Sequence, residues 1–208
     1  MKIDAIEQSK RAREKLRVRF DDGTNLLVPV SVVTELRLRV GLELSEAALQ
    51  SLRDSCALAS AKERAVRIVS ASAVSQRELE RRLVRKGESE EHAQEAVKWL
   101  SDLRLLDDRQ VAEQVVRSGA AKGYGAARIR QMLFEKRVPR ELWDEALAAL
   151  PTQDDAIDEF LRRRFRGKTP DRAECKRATD ALLRRGHSWS DIRRALERYA
   201  PDEEFFED

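Results

Sequence analysis

Apolar and basic side chains alternate from residue 16 to residue 20, with Leu16, Val18 and Phe20 set against Arg17 and Arg19, and Asp22-Gly23 follows. Period-two alternation ahead of such a dipeptide predicts a β-hairpin over residues 16–30, closed by Pro29. Ser31 is placed to cap a short helix running to Leu38, and Gly41 to stop it. Ser45 then opens a second helix, where Glu46 meets the positive end of the dipole.

From about Ala59 the period lengthens to that of amphipathic helices, and the pattern repeats. Leu83 to Gly87 (L-V-R-K-G), Leu133 to Arg137 (L-F-E-K-R) and Leu182 to Gly186 (L-L-R-R-G) align at spacings of 50 and 49 residues. The pairs Ala96-Val97, Ala146-Leu147 and Ala195-Leu196 fall at one common offset, as do Ala93, Trp143 and Ile192. A period of this length indicates one supersecondary unit used three times. Each unit reads as three helices. In the first, Arg64 to Ser72 precedes a helix opened by the capping box Ser75 to Glu78 and a third helix opened by Ser89, with Ala93, Val97, Leu100 and Leu103 as one buried stripe. The second uses Val111 and Val115, Ile129 and Leu133, then Leu142, Ala146 and Leu150. The third uses Ile157, Leu161 and Phe165, Ala178 and Leu182, then Trp189, Ile192, Leu196 and Tyr199.

The predicted fold is therefore mainly α: three tandem three-helix repeats in an elongated, curved array, preceded by a small β-hairpin plus helix module. The expected boundaries are a flexible basic N-terminus over 1–15, the hairpin and helix module over 16–58, repeats over 59–106, 107–150 and 151–201, and an acidic tail over 202–208. Charged residues make up 38% of the 208-residue chain and aromatics 5%, which suits thin cores and many wet helix faces better than an enzyme with one deep pocket. The net charge of +3 is small, but its distribution is uneven. Residues 151–201 hold 13 basic and 9 acidic side chains, and the acidic tail follows at once. Two distant cysteines, Cys56 and Cys175, suggest a reducing compartment, and the absence of an apolar leader or spanning segment adds to the expectation of a cytoplasmic protein.

Candidate chemistry is electrostatic. His92 and His187 sit at helix junctions without metal-ligand neighbours and read as surface residues, and Asp107-Asp108 reads as helix capping ahead of Mg²⁺ binding. Lys122-Gly123-Tyr124-Gly125 lacks phosphate-loop spacing and follows a helix, so its glycines serve a tight turn with Tyr124 packed at the joint. Around that turn, Arg117, Lys122, Arg128 and Arg130 with Tyr124 also form a candidate contact surface. Arg81, Arg82, Arg85 and Lys86 crowd the end of one helix, and Arg184 and Arg185 occupy the matching place in the third repeat. In the run Arg162, Arg163, Arg164 and Arg166 with Lys168, the arginines project outward from a helix with Phe160, Leu161 and Phe165 on its buried side, as a cationic band for a polyanion. The terminal P-D-E-E-F-F-E-D is set to be a solvated tail, with competition for that band as the alternative. No nucleophile, base or metal constellation stands out, and no cofactor is expected.

The stretch L-L-D-D, followed after a helix by K-G-Y-G-A-A-R-I-R-Q-M-L, with S-Q-R-E-L-E-R-R-L-V-R-K-G upstream, resembles the RecX family over about residues 59–198. The resemblance implies three tandem three-helix repeats and no catalytic residues. It also implies binding to the RecA filament on single-stranded DNA, with inhibition of RecA's ATPase, strand exchange and coprotease activities in recombination, repair and the SOS response. The partners it implies are that filament and DNA bound without regard to sequence, single-stranded and also duplex, with the regulator a monomer. Two departures from the family pattern stand out: Val111 and Val115 where members usually carry aromatics, and Arg137 where they carry glycine. Two other classes fit short helices joined by tight turns. A helix-turn-helix transcription regulator would footprint one defined duplex, and a helical adaptor for an acidic protein would capture its partner after nuclease treatment.

Overall fold

In the computed structural model, which describes residues 1–9 and 14–200, the chain opens with a three-stranded antiparallel sheet. Its strands are β1 (Ile3–Gln8), β2 (Lys15–Phe20) and β3 (Asn25–Pro29), in the order β1-β2-β3. The hairpin β2–β3 turns at Asp22-Gly23, where Asp22 Oδ1 accepts from the Thr24 amide at 2.9 Å and Gly23 adopts φ +80°.

β1 corrects the expectation of a flexible N-terminus. Its alternation is hidden by a register shift between Ile3 and Ala5, which lets Ile3 and Ile6, on opposite phases of a regular strand, both face the core opposite Phe20 and Val18. Residues 41–44 fix it further: the Ile3 amide donates to Leu42 O at 2.9 Å and the Gly41 amide to Ile3 O at 2.8 Å. The basic run Lys10, Arg11 and Arg13 and the tail 202–208 lie outside the described residues.

α1 spans Val30–Glu35, so it begins behind Pro29, ahead of the expected cap Ser31, and stops short of Leu38. Proline's fixed φ and missing donor suit that edge. Ser45 does cap the next helix, accepting from the Ala48 amide at 3.1 Å. That helix, α2 (Glu46–Ala71), runs unbroken for 26 residues through the point where two helices were expected. Residues 57–63, A-L-A-S-A-K-E, contain neither glycine nor proline and favour continuation.

The remaining helices are α3 (Gln76–Arg85), α4 (Glu90–Asp102), α5 (Asp108–Ala121), α6 (Ala126–Glu135), a 3₁₀ turn (Arg140–Leu142) leading into α7 (Trp143–Ala148), α8 (Gln153–Phe165), α9 (Arg172–Arg184) and α10 (Trp189–Leu196). The chain is mainly helical, with three three-helix groups after the sheet. Among the described residues, contacts divide it into two units: Met1–Ser72 with Leu79–Leu106, and Ala73–Glu78 with the residues from 107 to 200.

Within the first unit, Val18, Phe20, Val28, Val32, Leu49 and Leu52 form one core, while Ala61, Ala65, Leu79, Leu83, Ala93 and Leu100 are buried farther along. Within the second, Val111, Val115, Ile129, Leu133 and Ala146 form one core and Ile157, Leu161, Phe165, Leu182, Ile192 and Leu196 another. Two expected stripe members fall outside. Leu103 is 51% exposed because α4 ends at Asp102 and Leu103 is already its cap. Trp189 is 48% exposed as the first residue of α10, where no preceding turn covers it.

Candidate functional site

The turn that closes each repeat's second helix takes the left-handed conformation, at Gly87 (φ +93°), Arg137 (φ +55°) and Gly186 (φ +85°). In the second unit two of these turns dock on the head of a helix 61 or 60 residues earlier. Lys136 O accepts from Ser75 Oγ at 2.6 Å, and Arg185 O accepts from the Gly125 amide at 2.9 Å. Ser75 and Gly125 are one repeat apart, so one joint is used twice. At the first joint Arg137 replaces the glycine, and its guanidinium reaches Glu78, whose carboxylate is buried, at 3.4 Å. Asp107 caps α5, whereas the buried Asp108 carboxylate accepts from the Gln76 amide at 2.9 Å and so caps α3. Burial pushes the Asp108 carboxyl upward, against the pull of that amide.

The second joint is tighter. Gly125 and Gly186 lie backbone to backbone: a Cβ on Gly125 would meet Gly186 O at 2.2 Å, and one on Gly186 would meet the Arg128 amide nitrogen at 2.3 Å. The Ala127 amide donates to Gly186 O at 3.1 Å. His187, read from sequence as a surface residue, is only 4% exposed and is wedged into this joint with Nε2 3.1 Å from Gly123 O. A carbonyl only accepts, so Nε2 carries the proton and Nδ1, buried without a partner, is bare.

The imidazole's pKa is held below its ordinary value, chiefly by burial and further by the Arg185 charge, while Gly123 O and Asp191 act the other way. A depressed histidine resists protonation when folded but accepts it freely when unfolded, so its stabilising contribution is present above about pH 6.5 and lost on acidification. The midpoint of thermal unfolding should therefore fall between about pH 7.5 and about pH 5.5, and fall less in His187→Gln, read by circular dichroism. Equal falls in both proteins would contradict the burial argument.

This joint assembles cations from two repeats. Lys122, Arg163, Arg164 and Arg185 line an open groove of about 460 Å³ together with Gly123 and Phe160. The Arg185 guanidinium lies 5.1 Å from the Phe160 ring centroid, and its Nη1 donates to Lys122 O at 3.3 Å. Phe160 therefore lines the groove as well as the buried side of α8, a role its spacing alone did not show. Glu159 also lines the groove and pairs with Arg163. Arg162, one residue and about 100° around α8, is exposed and outside the lining, as helical geometry dictates for consecutive residues.

The other candidates are dispersed. Arg117 lines a separate cavity of about 490 Å³ with Leu142, Ala146 and the ion pair Arg109–Glu145 at 2.9 Å. Tyr124 is half-buried against the second repeat's core, as a packing residue would be. Arg128 is exposed and 3.8 Å from Glu135, and Arg130 and Arg184 are exposed on their helices. Arg81, Arg82, Arg85 and Lys86 belong to the first unit, the first two half-buried and the last two exposed. Lys86 O there accepts from Arg64 at 3.1 Å. Cys56 and Cys175 are free, and no helix among the described residues is long and apolar enough to cross a membrane.

Three family profiles match the chain: RecX, first three-helix domain, over residues 61–100, RecX, second three-helix domain, over 107–147, and RecX, third three-helix domain, over 152–196. A protein of Stenotrophomonas maltophilia called Regulatory protein RecX is 38% identical over 132 residues, covering 62% of this chain and 80% of that one. The chain belongs to the RecX family. Its Vibrio campbellii relative, also called Regulatory protein RecX, is 35% identical over 140 residues, covering 66% of this chain and 90% of that one. A crystal structure of regulatory protein RecX superposes with a TM-score of 0.75 at 24% identity, over 95% of this chain and 98% of that one. RecX from Lactobacillus salivarius gives 0.62 at 20% identity, over 69% and 96%. The RecX profiles begin at residue 61, so the sheet and α1 precede the matched domains.

Proposed function

We propose that this RecX-family chain is a negative regulator of RecA that binds the RecA filament on single-stranded DNA and restrains its ATP hydrolysis, strand exchange and coprotease activity. Family membership supports the partner. The groove of Lys122, Arg163, Arg164 and Arg185 supports the mode of contact, and it is the observation that carries the reading. Four cations around one open depression match a line of phosphates, with Arg suited to paired oxygens and Lys acting as a point charge. Such contacts position a protein on a nucleoprotein polymer without reading sequence. Arg162, Arg184, Arg128 and Arg130 are exposed outside the groove in the same unit, and Arg81, Arg82, Arg85 and Lys86 supply cations in the first unit, as further candidate contacts. The proposed setting is the cytoplasm, with homologous recombination and DNA repair as the processes affected.

ATP hydrolysis by RecA on single-stranded DNA tests the reading. Added wild-type chain should lower the rate in a saturable manner at substoichiometric to equimolar ratios, and the effect should weaken steeply as salt rises. An unchanged rate at saturating chain and low salt would contradict it.

A further inference from the structure

A second concavity in the same unit, untouched by the groove's residues, lies at the end of α6. Phe134 stands 59% exposed there and, with Trp143, Arg77, Arg137, Arg140 and Glu141, lines an open cavity of about 340 Å³. That volume falls within the roughly 300–1,000 Å³ range of small-ligand sites. Trp143 is anchored, its indole N–H donating to Val138 O at 3.0 Å, and its face is taken by the Arg140 guanidinium at 5.8 Å. Arg137 is held in place through Glu78. The result is a fixed aromatic wall, an exposed phenyl ring and three guanidinium groups around one opening.

We propose that this cavity accepts one unpaired nucleobase of a single strand, stacked on Phe134, with the flanking phosphates on Arg77, Arg137 and Arg140. The inference rests on the reading that the chain touches DNA, and deepens it by naming the strand state selected. A base in a duplex has both faces occupied by its neighbours, so only an unstacked base reaches the ring. An aromatic face stacks any base, so the site adds strand selectivity without sequence selectivity. The groove, by contrast, contacts phosphates that single strands and duplexes share.

Fluorescence anisotropy with the full chain separates the two. The probes are a labelled oligothymidylate and an abasic strand of equal length with the same phosphates. Wild type should bind the base-bearing strand roughly tenfold tighter. Phe134→Ala should lose that preference while keeping its affinity for the abasic strand, and Phe134→Trp should retain it. A Phe134→Ala protein with the wild-type preference, or one weakened equally on both strands, overturns the base site. Wild-type binding of both strands alike overturns the base site and leaves the groove standing, whereas binding of neither overturns both.

Discussion

Gly186→Ala should lower the stability of the second unit by more than about 3 kcal/mol, while Gly87→Ala, at the matching turn of the first repeat, should cost about 1 kcal/mol. Both glycines are left-handed, at φ +85° and +93°, so both substitutions carry the same backbone strain. They differ in what a methyl group meets: open space at Gly87, and at Gly186 the Arg128 backbone nitrogen, 2.3 Å from where the added Cβ would sit. Backbone cannot swing aside as a side-chain end can, so the joint must open and the bond from the Ala127 amide to Gly186 O must lengthen. Gly125→Ala should behave like Gly186→Ala, since its Cβ would sit 2.2 Å from Gly186 O. Thermal melts of the three variants read this directly, with falls of about 10 °C expected for Gly186→Ala and Gly125→Ala. Equal small falls in all three would mean that the glycines serve the turn and not the close approach.

The second large effect is expected from Lys122→Glu with Arg163→Glu and Arg164→Glu. All three side chains are exposed and none contributes to a core, so the fold should survive. Reversing three of the groove's four cations should weaken binding to single-stranded DNA by roughly a hundredfold at low salt. The slope of log affinity against log salt should also move toward zero by about 2, since each lost phosphate contact on a single strand accounts for about 0.7. Arg117→Glu, on a cavity lined by different residues, should change binding far less. A wild-type salt slope in the triple variant would remove the groove from the contact surface.

The repeat was legible because helices impose it twice, once as the three-to-four-residue spacing of Leu, Ile and Ala and once as the recurrence of the closing turn. The joints were not. Gly123 and Gly125 announce a turn, but nothing local to K-G-Y-G says that its amide will meet the carbonyl of Arg185, 60 residues on. His187 showed a related limit: at a helix junction without metal-ligand neighbours it reads as surface, and only the docking of one repeat's turn on another buries it. β1 escaped because a bulge placed Ile3 and Ile6 out of alternation, and the long α2 because Ser45 and Ser72 mark its ends while no residue marks its middle. Of the basic residues, sequence could supply the set but not the grouping. Arg163 and Arg164 share the groove with Lys122 and Arg185, whereas Arg162, Arg117 and Arg128 point to other surroundings.

Co-sedimentation with preformed RecA filaments on single-stranded DNA, using wild type and the triple groove variant after their melting points have been matched, is the most direct measurement. Wild-type chain should pellet with the filaments and the variant should stay in the supernatant. Equal pelleting of both, or failure of the wild type to pellet at all, would contradict the account.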